Sequence, residues 1–296
     1  MTGRAATQAG GDSAGGTLYV VATPIGNLAD ITLRALEVLR AVPLIAAEDT
    51  RLTRRLLDRH GIDVPLTSYH AKSGPGRTAS LLEHLRGGAD LALVSDAGTP
   101  VVSDPGGELV TAWAGEGGTV VALPGPSAVV TAVAVSGVAG PHWTFEGFLP
   151  RSGRERRERL ARIAADERGA IIFEAPNRVA GTLRDLATAC RSERPAAVCR
   201  ELTKLHETVS RGALGELAEA AANGAIPARG EFVLVVGAWT GAGAQAGERD
   251  SAAAMDAARA EVERLVADGL ARSDAARRVA ASTGLPRRTL YGASPD

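Results

Sequence analysis

The chain has 296 residues, with 33 Lys and Arg against 34 Asp and Glu; a formal net charge of −1 excludes a global positive field, so any basic surface must be local. Hydrophobic residues at 45% and charged residues at 23% suit a globular protein with a real core, long enough for two domains and a small appendage. Two cysteines, Cys190 and Cys199, exclude a disulfide framework and fit a reducing compartment, and no apolar run approaches the ~18 residues of a membrane span.

Residues 1–16 are rich in Gly, Ala and Ser and lack the apolar stretch of a signal peptide, so a disordered leader on a cytoplasmic chain is expected. From Thr17 onward short apolar runs alternate with amphipathic segments. Leu18–Ala22 reads as a strand and Ile31–Ala41 as a helix, with Leu33, Leu36 and Leu39 on one face. Strands at Leu44–Ala47, Leu66–Tyr69, Leu91–Ser95 and Val120–Leu123 follow. Between and after them come helices to about His60 and near Thr78–Arg86, Pro105–Ala114 and Ser127–Val135. Such alternation predicts an open, largely parallel sheet covered on both faces.

Gly and Pro interrupt the pattern at Val138–Pro141, placing a boundary between an α/β domain over 17–139 and a second over 140–238. The second holds strands at Trp143–Leu149, Ala170–Glu174, Ala196–Arg200 and Phe232–Gly237. Its helices fall at Ser152–Arg168, Arg178–Cys190 and Leu214–Ala222. Residues 239–250, rich in Gly and Ala, read as a linker. In the tail, 251–296, Ala252–Ala267, Ser273–Ser282 (with Ser273 as a cap) and Pro286–Tyr291 read as short helices.

Ligands of such sheets gather where parallel strands end. Three loops there carry Gly or Pro: Ala22–Leu28 (ATPIGNL), Ser95–Pro100 (SDAGTP) and Leu123–Ala128 (LPGPSA). One alone is an ordinary turn; three in one sheet point to a ligand crevice. No G-x-x-x-x-G-K-[ST] occurs, no G-x-G-x-x-G follows the first strand, and no lysine lies in the loops. A ligand without phosphates, held by backbone groups, fits, and S-adenosylmethionine is of that kind.

Seven ordered blocks make the likeness specific. They are Leu18–Thr32, Ala47–Arg51 (AEDTR), Ser95–Gly106 (SDAGTPVVSDPG), Leu123–Ala128, Glu146–Arg151 (EGFLPR), Phe173–Arg178 (FEAPNR) and Arg200–Glu207 (RELTKLHE). Through them the chain resembles the tetrapyrrole methylase-like superfamily and, within it, the ribosomal RNA small subunit methyltransferase I family. The resemblance implies two α/β domains with S-adenosylmethionine in the cleft between them, a small helical tail and a homodimer. It assigns the cofactor to Asp96, Ala97, Gly98 and Thr99, to Pro124, Ser127 and Ala128, and to Ile25, Phe173, Glu174, Ala175, Arg200, Glu201 and Leu202. The implied reaction is 2′-O-methylation of a cytidine ribose in the decoding region of small-subunit ribosomal RNA, naked or in the assembled subunit.

A ribose hydroxyl is barely acidic, so a base or a cation should assist. Glu48, Asp49, Arg51 and Lys204 head the candidates, with Glu146, Glu174, Arg178 and Glu201 behind them; each competes with a plain salt-bridge role. No His or Cys has metal-ligand spacing, so no metal is expected. The segment Ser152–Arg168 reads either as a solvated charged helix or as a phosphate-binding surface through Arg151, Arg154, Arg156 and Arg157. The tail stretch Ala276–Tyr291 has a helix–turn–helix shape carrying Arg287 and Arg288, which suits RNA contact or a packing bundle. Two rivals stand beside this: a corrin or porphyrin methyltransferase, and a non-catalytic module keeping the crevice.

Overall fold

Apolar runs build two sheets, and burial along each strand follows its place in the sheet. A computed structural model describes residues 15–239 and 244–283. Residues 1–14 of the expected leader, the last expected helix and Arg287 and Arg288 lie outside the described residues.

The first half runs β1 (Thr17–Val21), α1 (Leu33–Ala41), β2 (Leu44–Ala47), α2 (Thr50–Arg59), β3 (Leu66–Ser68), α3 (Pro75–Arg86), β4 (Leu91–Val94), α4 (Gly107–Gly115), β5 (Thr119–Leu123) and α5 (Ala128–Ser136). Its sheet has the order β3-β2-β4-β1-β5 and every pairing is parallel. All four residues of the central β4 are buried, as a strand covered on both faces requires. Side chains cap α1 and α2: the Thr32 hydroxyl accepts from the Ala35 amide at 3.1 Å, and Asp49 accepts from the Arg51 amide at 2.8 Å.

The second half runs β6 (Trp143–Phe148), α6 (Gly153–Ala165), β7 (Gly169–Glu174), α7 (Val179–Cys190), β8 (Pro195–Arg200), β9 (Thr208–Ala213), α8 (Leu214–Ala222) and β10 (Phe232–Val236). Its sheet, β6-β7-β10-β8-β9, is mixed: β6 and β7 are parallel and the other pairs antiparallel. Sequence pattern misses β9, because this edge strand (TVSRGA) is only half covered and offers no apolar run. Central β10, wholly buried, is plain in the sequence.

Both sheets belong to one compact unit, Met1–Ala238. One cluster binds them: Ile25, Val129 and Ala132 from the first half are buried with Ile171, Cys199, Val233 and Val235 of the second. Helix α5 thus lies against the second sheet's face, and its uncharged, mostly apolar sequence (AVVTAVAVS) is what a helix between two layers needs.

The second unit, Trp239–Asp296, contains α9 (Ala244–Ala267) and α10 (Arg272–Thr283) around a small core of Ala258, Val262, Ala275, Ala276 and Val279. Helix begins at Ala244, so residues 244–250 of the expected linker are helical. Alanine-rich sequence forms helix without an apolar stripe, which a search for periodicity overlooks. Ser273, expected as a cap, lies inside the first turn of α10.

Candidate functional site

The three Gly- and Pro-containing loops meet at the carboxyl edge of the first sheet and are stitched together. Thr23 and Gly98 exchange two backbone hydrogen bonds, at 2.8 and 2.9 Å, and the buried Thr23 hydroxyl donates to the Ser95 carbonyl at 3.1 Å. The Thr99 hydroxyl donates to the Pro126 carbonyl at 3.2 Å, tying the second loop to the third. Gly125 lets the third loop close on the first: a Cβ there would stand 2.9 Å from the Ala22 Cβ.

Between these loops and the second sheet lies a cavity of about 390 Å³. The first half lines it with Ile25, Ala97–Thr99, Val102–Asp104 and Ser127–Val129. The second half adds Phe148, Phe173–Pro176, Cys199, Leu202 and Gly230–Val233. Phe173 packs edge-on against Phe145 and Phe148, with ring centroids 4.9 and 5.7 Å away, giving the wall a stiff aromatic corner.

Of the positions assigned to a cofactor, the structure brings Ile25, Ala97, Gly98, Thr99, Ser127, Ala128, Phe173, Glu174, Ala175 and Leu202 to this wall. Asp96, Pro124, Arg200 and Glu201 do not line it. The Asp96 carboxylate instead accepts from the Asp49 amide at 2.8 Å. Arg200 is buried and spent on the carbonyls of Arg229 and His206, at 2.8 and 3.2 Å. Glu201 holds Lys204 and the Glu231 amide, each at 2.9 Å. The wall also holds what the sequence did not single out, chiefly Asp104, Phe148 and Gly230–Val233. Asp104 stands in the block Ser95–Gly106, and a carboxylate beside Pro and Gly in the loop between β4 and α4 was its signal.

None of Glu48, Asp49, Arg51 and Lys204 lines the cavity. Glu48 and Asp96 are cross-linked: the Glu48 carboxylate accepts from the Asp96 amide at 3.2 Å, and burial raises the pKa of both acids. Asp49 grips Arg51 side chain to side chain at 2.6 Å, which holds it down to about 2. Arg51 is 87% exposed. Lys204 pairs with Glu201 and Glu231 at 2.9 and 3.0 Å, and its stem covers Gly26, whose Cβ would meet Lys204 Cγ at 2.4 Å. The neighbouring Thr203 hydroxyl accepts from the Asn27 amide at 3.2 Å, so this loop latches onto the first one.

Among the arginines expected to face phosphates, Arg156 is a correction. It is buried, donating to Asp185 at 2.8 Å, to the Thr182 hydroxyl at 3.0 Å and to the Pro150 carbonyl at 2.8 Å. Its place on the Leu160/Ile163 stripe of α6 explains this. Arg151, Arg154 and Arg157 are exposed, with Arg154 paired to Glu158 one turn on. Among the described residues, no group of three His, Cys, Asp or Glu is placed to hold a metal ion, and no helix is long and apolar enough to cross a membrane.

A family model described as Tetrapyrrole (Corrin/Porphyrin) Methylases matches residues 17–218. Ribosomal RNA small subunit methyltransferase I of Synechocystis sp. is 48% identical over 93% of this chain and 96% of its own length. The protein of that name from Mycobacterium tuberculosis is 42% identical over 94% of each. Among solved structures, uroporphyrin-III C-methyl transferase from Thermus thermophilus, complexed with S-adenosyl homocysteine, superposes with a TM-score of 0.54. It is 20% identical, over 75% of this chain and 97% of that one. A diphthine synthase gives a TM-score of 0.59 at 16% identity, over 75% and 90%; at such identities the likeness shows the fold alone. With stitched strand-end loops, two sheets closed over one cavity, and these matches along nearly its whole length, the chain belongs to the tetrapyrrole (corrin/porphyrin) methylases and, within them, to the ribosomal RNA small subunit methyltransferase I family.

Proposed function

We propose that the chain transfers a methyl group from S-adenosylmethionine to the 2′-oxygen of a cytidine ribose in the decoding region of small-subunit ribosomal RNA. It would work in the cytoplasm as a homodimer, on the RNA or on the assembled subunit. The observation that carries this is the cavity wall: loop backbone and hydroxyls on one side, Phe173, Leu202, Phe232 and Val233 on the other. Such a wall suits a flat purine and an uncharged ribose, and it offers no Lys or Arg for phosphates. Gly98 at φ +81° supplies a stretch of wall without a side chain, where a Cβ would stand 3.4 Å from Ile25 Cγ2. The name carried by the relatives supports the RNA acceptor.

S-adenosylmethionine, when bound, supplies an already activated methyl group. The chain's own part is to hold acceptor and donor in line and keep water out, a task for the aromatic corner and the latched 201–207 loop. The test uses labelled S-adenosylmethionine with small ribosomal subunits or with a uroporphyrin-type tetrapyrrole. Label in RNA, at a 2′-O-methylcytidine, supports the proposal; label only in the tetrapyrrole replaces it.

Arg151, Arg154 and Arg157 form the exposed basic surface proposed to touch RNA phosphates. Every phosphate left without its arginine lowers the log–log salt slope by about 0.7–0.9. Reversing Arg154 and Arg157 to Glu should therefore weaken subunit binding about tenfold at low salt and flatten its salt dependence, with donor affinity unchanged. Filter binding against salt concentration checks this; an unaltered slope returns the helix to a solvated face.

A further inference from the structure

Resting on the reading of the site as one that methylates a hydroxyl, we propose that Asp104 is its general base, the carboxylate that takes the proton of the attacking ribose oxygen. Four titratable side chains line the cavity: Asp104, Glu174, Cys199 and Glu231. Three of them are engaged or inert. Glu174 accepts from the Ala175 amide at 2.8 Å and the Thr182 hydroxyl at 2.5 Å, with Arg178 paired to it at 3.2 Å. Glu231 pairs with Lys204 at 3.0 Å. Cys199 is wholly buried, and that burial pushes its thiol up to about 11, so it stays protonated.

Asp104 differs. Among the described residues it forms no ion pair, and the groups acting on it are the Ser95 hydroxyl and the carboxylates of Glu48 and Asp96. Glu48 in turn feels His70 and Asp49, and Asp96 feels Asp49 and Arg51. The backbone holds Asp104 there under strain: Val101 and Ser103 take left-handed φ, at 75° and 66°, and Gly106, free to do so, completes the turn at 122°. A β-branched residue at positive φ is a real outlier, and such strain collects where a side chain must be aimed. Burial, with Glu48 and Asp96 adding to it and Ser95 opposing, pushes Asp104 up to about 6. At neutral pH it is still mostly charged, yet a far stronger proton acceptor than an ordinary aspartate. Asp49, held at about 2, is a poor one.

The step balances. Asp104 takes the hydroxyl proton as the oxygen's lone pair forms the O–CH3 bond and the S–CH3 electron pair stays on sulfur. Carboxylate, hydroxyl and sulfonium become carboxylic acid, methyl ether and thioether.

The test compares full-length wild type, Asp104→Asn and Asp104→Ala. Single-turnover methyl transfer to small subunits is followed from pH 5 to 9, with S-adenosylmethionine affinity measured separately by calorimetry. The wild-type rate should rise with pH to a plateau, bending near 6. Asp104→Asn should be at least 100-fold slower and lack that bend, with donor affinity within threefold. Formate should restore the rate of Asp104→Ala at least tenfold. A readout without acceptor is the melting temperature. A carboxyl raised in the folded state weakens the fold as pH climbs from its unfolded pKa through its folded one. Asp104→Asn should therefore melt above wild type at pH 8, and the gap should close below about pH 4. An Asp104→Asn rate within threefold of wild type, or an Asp104→Ala protein indifferent to formate, overturns the base and leaves the reaction standing. A wild type that never labels subunits overturns the reaction and the base together.

Discussion

Replacing Gly98 by Val should lower affinity for S-adenosylmethionine by roughly 100-fold or more while the protein stays folded. Two separate penalties arise at this position. Gly98 sits at φ +81° and exchanges both backbone hydrogen bonds with Thr23, so it cannot relax to negative φ without unstitching the first loop from the second. Any side chain there carries a strain of about 1–3 kcal/mol, charged to the folded state whether or not ligand is present. The second penalty falls on binding alone. A Cβ already touches Ile25 Cγ2 at 3.4 Å, and the two further methyls of Val must enter the cavity that Gly98 and Ile25 line. Displacing a ligand from that wall by even an ångström weakens its packing along the whole wall, and about 2.7 kcal/mol is the hundredfold expected. Gly98→Ala separates the terms: its melting temperature should fall nearly as far, with affinity reduced only about tenfold. Calorimetry on both variants decides, and a folded Gly98→Val protein with wild-type affinity would move the donor elsewhere.

What the sequence made legible follows from how each feature is encoded. The parallel sheet is written in short apolar runs; the structure keeps β2 at its expected bounds and moves ends of β4 and β5 by a single residue. The loops after β1, β4 and β5 are legible because a sharp turn at a strand end demands Gly and Pro. Features made by half-burial or by distant packing are harder. Strand β9 has a polar, half-exposed composition, and its identity comes from pairing with β8. The floor at Gly230–Val233 belongs to the cavity only because β10 inserts antiparallel between β7 and β8. The strain at Val101 and Ser103 that seats Asp104 has no signature at all, since neither residue type prefers left-handed backbone. Arg156 was decipherable in principle. Its spacing from Leu160 and Ile163 is that of one helical face, and weighing charge without face placed it on the exposed surface, among the arginines expected to meet phosphates.

Arg194→Ala should cost the fold about 4 kcal/mol without weakening the binding site of molecules that remain folded. Arg194 is wholly buried, yet among the described residues no carboxylate pairs with it; its guanidinium is shared out among four backbone carbonyls. Nε donates to Gly237 at 2.9 Å, Nη1 to Ile163 at 3.0 Å, and Nη2 to Asp166 at 3.1 Å and Arg168 at 2.8 Å. Ile163 and Asp166 close the end of α6, where orphan carbonyls and the negative end of the helix dipole favour a cation. Burial lowers the pKa of Arg194, but an arginine has range to spare and stays charged. Removing it strands several buried acceptors at about 1–3 kcal/mol each, relieved in part by entering water, and leaves a cavity where its stem packed. Arg194→Lys should recover less than half, because an ammonium cannot span a fork aimed at four oxygens. Where these carbonyls sit explains the split between stability and binding. Arg168 precedes β7 and Gly237 follows β10, whereas the cavity is walled by the opposite ends of those strands, Phe173–Glu174 and Phe232–Val233. The arginine thus locks the sheet at the edge remote from the ligand. Urea unfolding should show a lower midpoint with an unchanged slope, and calorimetry at low temperature an affinity within about twofold of wild type. A variant that keeps its midpoint but loses affinity would mean that the two edges of the second sheet move as one.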